Sequence, residues 1–332
     1  MANRDKIALI LAGGQIVLKK QASGEPDALP LDEEELIACL PEEMRAKTYV
    51  VDWSRQPVNN YTLRMCSDLV QMAGAQVEEG AAGVVLTCGT QALTEAAYFA
   101  DLVWSYPQPL IFTSSIHLAG TPGSETALLL SQAVRAAEFQ ACWGQGVLVC
   151  LQDRLYAASE LCHLSNYSRF GYTALLGGPV AEFSEPAGAL IFLRSPRRGR
   201  VLSVSAVPAR NVELVDVTLG GGDVLLNALL DGRVSELDGL VIAAFGSGDV
   251  PPSWVPLLRK MARGGLPVAL TSRCPMGRVQ PGGDFEGGAK GLLEMGLVSG
   301  GTLTPLQARV RLAVGLGAEL RDQALKNYML GE

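Results

Sequence analysis

Short apolar runs alternate with amphipathic stretches along most of the chain. Ile7–Leu11, Thr48–Val51, Gly83–Thr87, Leu110–Thr113 and Gly146–Leu151 are each four to six residues long and rich in Val, Ile and Leu. Their apolar positions do not alternate with polar ones, so both faces are expected to be buried, as in a parallel sheet covered by helices. Between them, Glu33–Leu40, Asn60–Ala73, Leu93–Val103 and Glu125–Ala137 read as helices. The alternation predicts a doubly wound α/β domain. After Gly177-Gly178 the character changes: 182–210 holds Pro, Gly and Arg clusters around an expected hairpin of Ala189–Leu193 with Arg200–Val207, and reads as a linker. The pattern then resumes with Val212–Val217, a helix over Asp223–Leu230, Gly239–Ala244, a helix over Trp254–Arg263, Pro267–Leu270 and a last helix from Thr304. The expected architecture is a larger N-terminal doubly wound parallel-sheet domain, residues 1–207, and a smaller C-terminal α/β domain, residues 211–332.

Composition narrows the function. With 48% hydrophobic residues in 332, the chain can bury one large core or two ordinary ones. Its 27 basic residues against 34 acidic ones give a net charge of −7, which argues against a nucleic-acid partner. The one basic cluster, Arg194, Arg197, Arg198 and Arg200, is interrupted by proline and glycine and reads as a solvated connecting loop. No run approaches the roughly 18 apolar residues of a membrane span, and Asp5 beside Gly13-Gly14 does not suit a secretory signal, so no membrane partner is expected. Seven scattered cysteines without a CxxC pair read as reduced thiols in a cytoplasmic protein, and two histidines leave little to build a metal site. No cofactor is expected.

In an open parallel sheet, ligands bind at the carboxyl ends of the strands. Three junctions stand out there: Leu11-Ala12-Gly13-Gly14-Gln15, Leu86-Thr87-Cys88-Gly89-Thr90-Gln91 and Phe112-Thr113-Ser114-Ser115. Each alone reads equally as a tight turn with a helix-capping hydroxyl. Their order, however, resembles the bacterial-type asparaginase/glutaminase family. Ala12-Gly13-Gly14-Gln15-Ile16 stands for the family's T-G-G-T-I, and Thr87-Cys88-Gly89-Thr90-Gln91-Ala92 with Glu95-Ala96-Ala97-Tyr98-Phe99 for its T-H-G-T-D-T and following helix. Gly146 to Leu155, Gly246-Ser247-Gly248-Asp249-Val250-Pro251, Thr271-Ser272-Arg273-Cys274 and Gly300-Gly301-Thr302-Leu303-Thr304-Pro305 continue the likeness in order, from about residue 6 to 320. The resemblance implies the asparaginase-like fold, a small-molecule substrate, and a homodimer or homotetramer that completes each site.

The resemblance also shows where this chain departs. Gln15 stands where the family has a nucleophilic threonine, and an amide cannot attack. Thr90 keeps the second triad's threonine, while Gln91 replaces its aspartate and His163 its lysine. Losing one member of such a pair would strand a buried charge at about 3–5 kcal/mol; here both are neutral polar residues able to bond each other. Trp53 follows Asp52 where the family has a carboxylate-binding serine, Asp249 replaces an asparagine offered by the neighbouring subunit, and no tyrosine occurs between residues 16 and 35 to form the lid.

Each residue carries two readings. Thr90 is a nucleophile or donor with His163 as its general base, or it caps the helix near Ala92. His163 acts on Thr90, or merely fills the lost lysine's space. Gln15 donates to a ligand or plugs the old site. Cys88 and Ser115 line the pocket, though a strand-end thiol with no cation nearby reads better as structural. Asp249 adds an acid that orients His163 or acts alone, and His117 orders its loop. The leading expectation is an enzyme with a rebuilt site: Thr90, His163 and Asp249 as catalytic residues and Gln15, Trp53, Gln91, Cys88 and Ser115 as substrate-binding ones. It would act on a small molecule with an apolar or aromatic part, by acyl, amide or acid–base chemistry. The alternatives are an inactive binding or scaffold protein and a weak asparaginase or glutaminase.

Overall fold

The computed structural model describes residues 5–21, 28–54, 56–184, 188–282 and 284–332. Contacts divide the chain into two compact units, Met1–Ser205 and Ala206–Glu332. Residues 185–187, within the expected linker, lie outside the described residues.

The first unit runs β1 (Ile7–Leu11), β2 (Leu18–Lys20), β3 (Ala28–Pro30), α1 (Glu33–Ala38), α2 (Glu42–Arg45), β4 (Thr48–Asp52), α3 (Leu63–Glu78), β5 (Gly83–Thr87), α4 (Leu93–Val103), β6 (Leu110–Thr113), α5 (Thr126–Glu138) and β7 (Val147–Leu151). Short strands follow: β8 (Arg154–Ala157), β9 (Leu161–His163), β10 (Tyr172–Ala174), β11 (Ala181–Ser184) and β12 (Ala189–Phe192). The main sheet has the order β12-β11-β8-β7-β6-β5-β1-β4. Its β7-β6-β5-β1-β4 part is parallel, as the unbroken apolar runs required, and every residue of β1, β5, β6 and β7 is buried. Leu9, Val85, Ile111 and Leu148 share one core cluster with Leu36 of α1 and Leu129, Leu130, Ala133 and Val134 of α5. Side chains alternate along a strand, so the intervening Ala8, Ile10, Val84 and Leu86 face the opposite side, the side taken by α3 and α4.

The expected hairpin of Ala189–Leu193 with Arg200–Val207 does not form. Ala189–Phe192 pairs antiparallel with Ala181–Ser184, and Arg200–Val207 contains no strand. Glycine and proline around the arginines leave that stretch irregular. Arg197 and Arg200 are exposed as expected, but Arg194 and Arg198 are less solvated. Arg194 grips Glu160 (3.1 Å) and the Gly178 carbonyl (2.8 Å), and Arg198 holds Asp101 Oδ1 (3.1 Å) and the carbonyls of Asp101 and Trp104. Asp101 is buried in α4, where a lone carboxylate would be costly without such a partner.

The second unit contains β13 (Val212–Asp216), α6 (Asp223–Ala228), β14 (Gly239–Ala244), α7 (Trp254–Arg263), β15 (Val268–Ser272), α8 (Ala289–Glu294), β16 (Val298–Ser299), α9 (Pro305–Gly317) and α10 (Asp322–Leu330). Its four strands form a parallel sheet in chain order. Helix α9 starts where the sequence expects it: Thr304 accepts from Gln307 N–H, Gln307 returns a bond to the Thr304 N–H, and Pro305 occupies the first turn. Among the described residues, no helix is long and apolar enough to cross a membrane.

Candidate functional site

Strands β1, β5 and β6 are neighbours and parallel, so their carboxyl ends open on one edge of the sheet. The register keeps them level: Leu11 lies opposite Thr87, and Thr87 opposite Thr113. Cross-bonds then lock the three loops together. The Ala12 N–H donates to Thr87 Oγ1 (3.1 Å), the Cys88 N–H to the Thr113 carbonyl (3.0 Å), and the Ser114 hydroxyl to the Cys88 carbonyl (2.6 Å). The small residues are demanded by this crossing. Gly14 has φ +90°, and a Cβ there would stand 2.4 Å from the Cys88 carbonyl oxygen. From the other side, the Tyr61 hydroxyl donates to the Ala12 carbonyl (2.7 Å). Burial pushes that phenol up to about 12, a trend the Ser54 hydroxyl partly opposes, so it remains a donor at neutral pH.

On this clamped floor the candidate residues differ sharply in placement. Thr90 is partly exposed. Its expected alternative as a helix cap is not realised, because α4 begins at Leu93 with Ala92 as its cap and no side-chain capping bond. Among the described residues, the Thr90 hydroxyl has no hydrogen-bond partner, whereas its carbonyl accepts the Tyr172 hydroxyl at 2.7 Å. Gln15 opens a single 3-10 turn, Gln15–Val17, and is exposed; its side chain does not plug a buried space. Gln91 is likewise exposed. Trp53 is half-buried, hangs on the Leu11 carbonyl through its main-chain N–H (3.3 Å), and meets the Tyr61 ring edge-on at 5.8 Å.

The expected bond between His163 and Thr90 is not formed. His163 is exposed on the β9–β10 hairpin, with Nε2 3.0 Å from the Ser165 carbonyl. Its ring stacks face to face on Tyr172, 4.3 Å between centroids and 5° between planes. Tyr172 therefore links the two: its face holds His163 and its hydroxyl holds the backbone of Thr90. Burial raises the Tyr172 phenol well above the usual range, with a smaller contribution from Cys88, which keeps it a donor.

Two expected substrate contacts are corrected. The Cys88 side chain is fully buried and its thiol turns to the Gly89 carbonyl (3.5 Å), because the strand direction carries it inward. Burial, then Cys66 nearby, pushes the thiol up to about 12, so no thiolate is available at neutral pH. Ser115 is also buried, and its hydroxyl turns back on its own loop, donating to the His117 carbonyl (2.9 Å) and accepting the His117 N–H (3.1 Å). Asp249 lies in the second unit, where its carboxylate accepts the N–H of Ala289, the first residue of α8 (3.1 Å).

Tyr61, Tyr172 and the loop-forming role of Ser114 were not visible in the sequence. Each acts on a residue far away in the chain, and no local pattern signals such a bond. Among the described residues, no group of three or more His, Cys, Asp or Glu is placed to hold a metal ion.

Comparison with known proteins agrees with this architecture. Residues 6–196 match the family described as Asparaginase, N-terminal, and residues 211–329 match the Glutaminase/Asparaginase C-terminal domain. An L-asparaginase of Bacillus licheniformis is 26% identical over 94% of this chain and 96% of its own length. A probable L-asparaginase of Deinococcus radiodurans is 28% identical, covering 97% of this chain and 96% of its own. A glutamyl-tRNA(Gln) amidotransferase component from Haloquadratum walsbyi is 26% identical over 92% of this chain and 70% of that protein. The fold is shared with a probable cytoplasmic L-asparaginase from Campylobacter jejuni, with a TM-score of 0.84 at 20% identity over 99% of this chain and 100% of the other. With both of its halves matched and the strand-end loops assembled as the motifs imply, the chain belongs to the asparaginase family.

Proposed function

We propose that this asparaginase-family chain is an enzyme with a rebuilt site, acting by acyl or amide chemistry on a small molecule with an apolar or aromatic part rather than on free asparagine. One observation carries the reading. The Thr90 hydroxyl is uncommitted on a partly exposed residue of a floor locked by its neighbours, Gln91 offers a neutral amide on the next residue, and Gln15 offers another on the loop after β1. Trp53, just past the end of β4, which pairs with β1, presents an aromatic ring and one N–H, which suits an apolar group better than a free carboxylate. In this reading Thr90 is the nucleophile or principal donor, and His163 and Asp249 contribute only if ligand or a second copy of the chain brings them to it. A homodimer or homotetramer is part of the proposal, as is a place in a biosynthetic route.

The test is covalent labelling. Incubation with a 4-nitrophenyl ester of 3-phenylpropanoic acid should release nitrophenol in a burst and leave the acyl group on Thr90, located by peptide mass. Thr90→Ala should abolish the burst and keep the fold, and Thr90→Ser should retain it. A Thr90→Ala burst equal to that of the unaltered chain would sink the reading.

A second reading, asparagine or glutamine hydrolysis, is favoured by the relatives that bear the name L-asparaginase. It predicts ammonia from either amino acid above the buffer rate. The third, an inactive scaffold, needed Gln15 and Trp53 to close the cavity; Gln15 is exposed and gives it no support.

A further inference from the structure

We infer that the second unit carries a binding site for a small amphipathic carboxylate, in a groove at the amino ends of β14 and β15. The groove has a volume of about 600 Å³, within the usual size of small-molecule sites. Leu237 and Asp238, just before β14, and Leu266 and Pro267, just before β15, place it at the opposite edge of the sheet from Asp249, which follows β14. Its wall is largely apolar, built from Leu230, Val234, Leu237, Met261, Leu266 and Leu316. Met261 of α7 and Leu316 of α9 are buried, whereas Leu230, Val234 and Leu237 are only half-covered. The segment that supplies Leu230 and Val234 is irregular. After α6 the chain passes through a π turn, Leu229–Arg233, and a 3-10 turn, Val234–Glu236. Such π turns are rare and are frequent at functional sites.

The charged groups around this wall are unbalanced. Asp238 is committed to the backbone, its Oδ2 accepting the N–H groups of Arg210 (3.0 Å) and Asn211 (2.9 Å) just before β13. Glu236, on the 3-10 turn, is taken by Arg233 (2.9 Å). Lys260 and Arg321, which also line the groove, have no acid. Among the described residues the Lys260 ammonium makes no hydrogen bond or ion pair. Arg321 is held by Nη1 against the carbonyls of Leu316 (3.3 Å) and Leu320 (2.7 Å), and no carboxylate of the described residues pairs with it. A cation in the last turn of α7 suits that helix end, which accounts for Lys260 taken alone. Arg321 comes from beyond α9, and what the two share is the groove. A ligand with one carboxylate for the two cations and an apolar body for the leucines matches both features; a cation matches only the second.

Octanoate, octan-1-ol and octylammonium share one tail and differ in the head group, so calorimetric titration of the full chain separates the wall from the charges. Octanoate should bind saturably and about tenfold or more tighter than octylammonium, with octan-1-ol between them. Replacing both cations, Lys260→Gln with Arg321→Gln, should weaken octanoate about tenfold and leave octan-1-ol within about twofold. The site is located in the unaltered chain by ¹³C-methyl labelling of its eight methionines. Octanoate should move the Met261 methyl saturably, assigned through Met261→Leu, and leave in place that of Met276, which is exposed in the loop after β15. A Met261 methyl that does not move, octylammonium binding as tightly as octanoate, or unchanged octanoate affinity in the folded double variant overturns the inference. The methyl titration uses the unaltered chain, so it decides even if the double variant does not fold. None of these outcomes touches Thr90, so the proposed function stands or falls separately.

Discussion

The floor formed by the strand ends and the β9–β10 hairpin are built on opposite principles, although both carry residues of the candidate site. The floor is held by many short-range exclusions: the Gly14 approach to Cys88, the Ala12–Thr87 and Ser114–Cys88 bonds, and strands buried on both faces. The hairpin is a two-stranded ribbon that leaves Leu164, Tyr167 and Phe170 at 58%, 88% and 75% exposure. Its link to the Thr90 loop is one phenol. Away from that loop, Arg169 ties the hairpin to the Gly123 carbonyl (2.7 Å) and Gln152 donates to the Arg169 carbonyl (2.6 Å). The difference teaches that backbone geometry at this site is set by packing, while the chemistry attached to it hangs on a few polar contacts that substitution can change.

The sharpest way to break the comparison is at Gly14. Gly14→Ala should cost about 2–4 kcal/mol, because the new methyl meets a backbone oxygen and the positive φ strains any L side chain. Urea unfolding measures it; a loss under about 1 kcal/mol would mean that the floor yields more easily than its geometry says.

Alkali should act on the same floor. Cys66 and Cys88 ionise near 9.0 in the unfolded chain and only at about 12 when folded, chiefly through burial. Both folded values are raised, so their contribution is complete below about pH 9 and is lost as pH rises from about 9 to about 12. Urea midpoints should therefore hold steady from about pH 7 to 8.5 and then fall, with a shallower fall in Cys88→Ala. An unchanged slope in that variant would remove Cys88 as a cause.

Tyr172→Phe keeps the ring against His163 and removes the bond to Thr90. We expect a loss of about 1–1.5 kcal/mol and faster amide exchange across residues 161–174, with the floor unaffected. Exchange that spread into β5 would show that the two regions are one cooperative body. At the small end, Tyr167→Ser should change stability by less than about 0.5 kcal/mol, as for most exposed positions. A larger loss, dependent on protein concentration, would instead reveal that the hairpin is covered by a second copy of the chain.

Much of the fold was legible because burial on both faces leaves an apolar run that no loop tolerates. β1, β5 and β6 fall on the expected residues, and β4 and β7 within one residue of them. The β8–β12 region was less legible: its strands are only three or four residues long and partly exposed, so Ala189–Phe192 was expected to pair with a stretch that stays irregular. At the site, the motif positions were legible, but the direction of their side chains was not. Cys88 and Thr90 are two residues apart; one is fully buried and the other reaches the surface.

By itself, the sequence determined the family, the parallel sheet and the positions of the strand-end loops, since these depend on local periodicity and on glycines that close backbone approach requires. Only the tertiary structure decided which polar atoms are spent and which remain available. Ser115 and Asp249 are occupied by backbone partners, the Tyr172 hydroxyl is spent on the Thr90 carbonyl and its ring on His163, and the Thr90 hydroxyl is left without a partner among the described residues. The physical reason is range. A hydrogen bond such as that from Tyr172 to Thr90 joins groups 82 residues apart, and its existence follows from where the folded backbone brings them and not from any pattern around either residue.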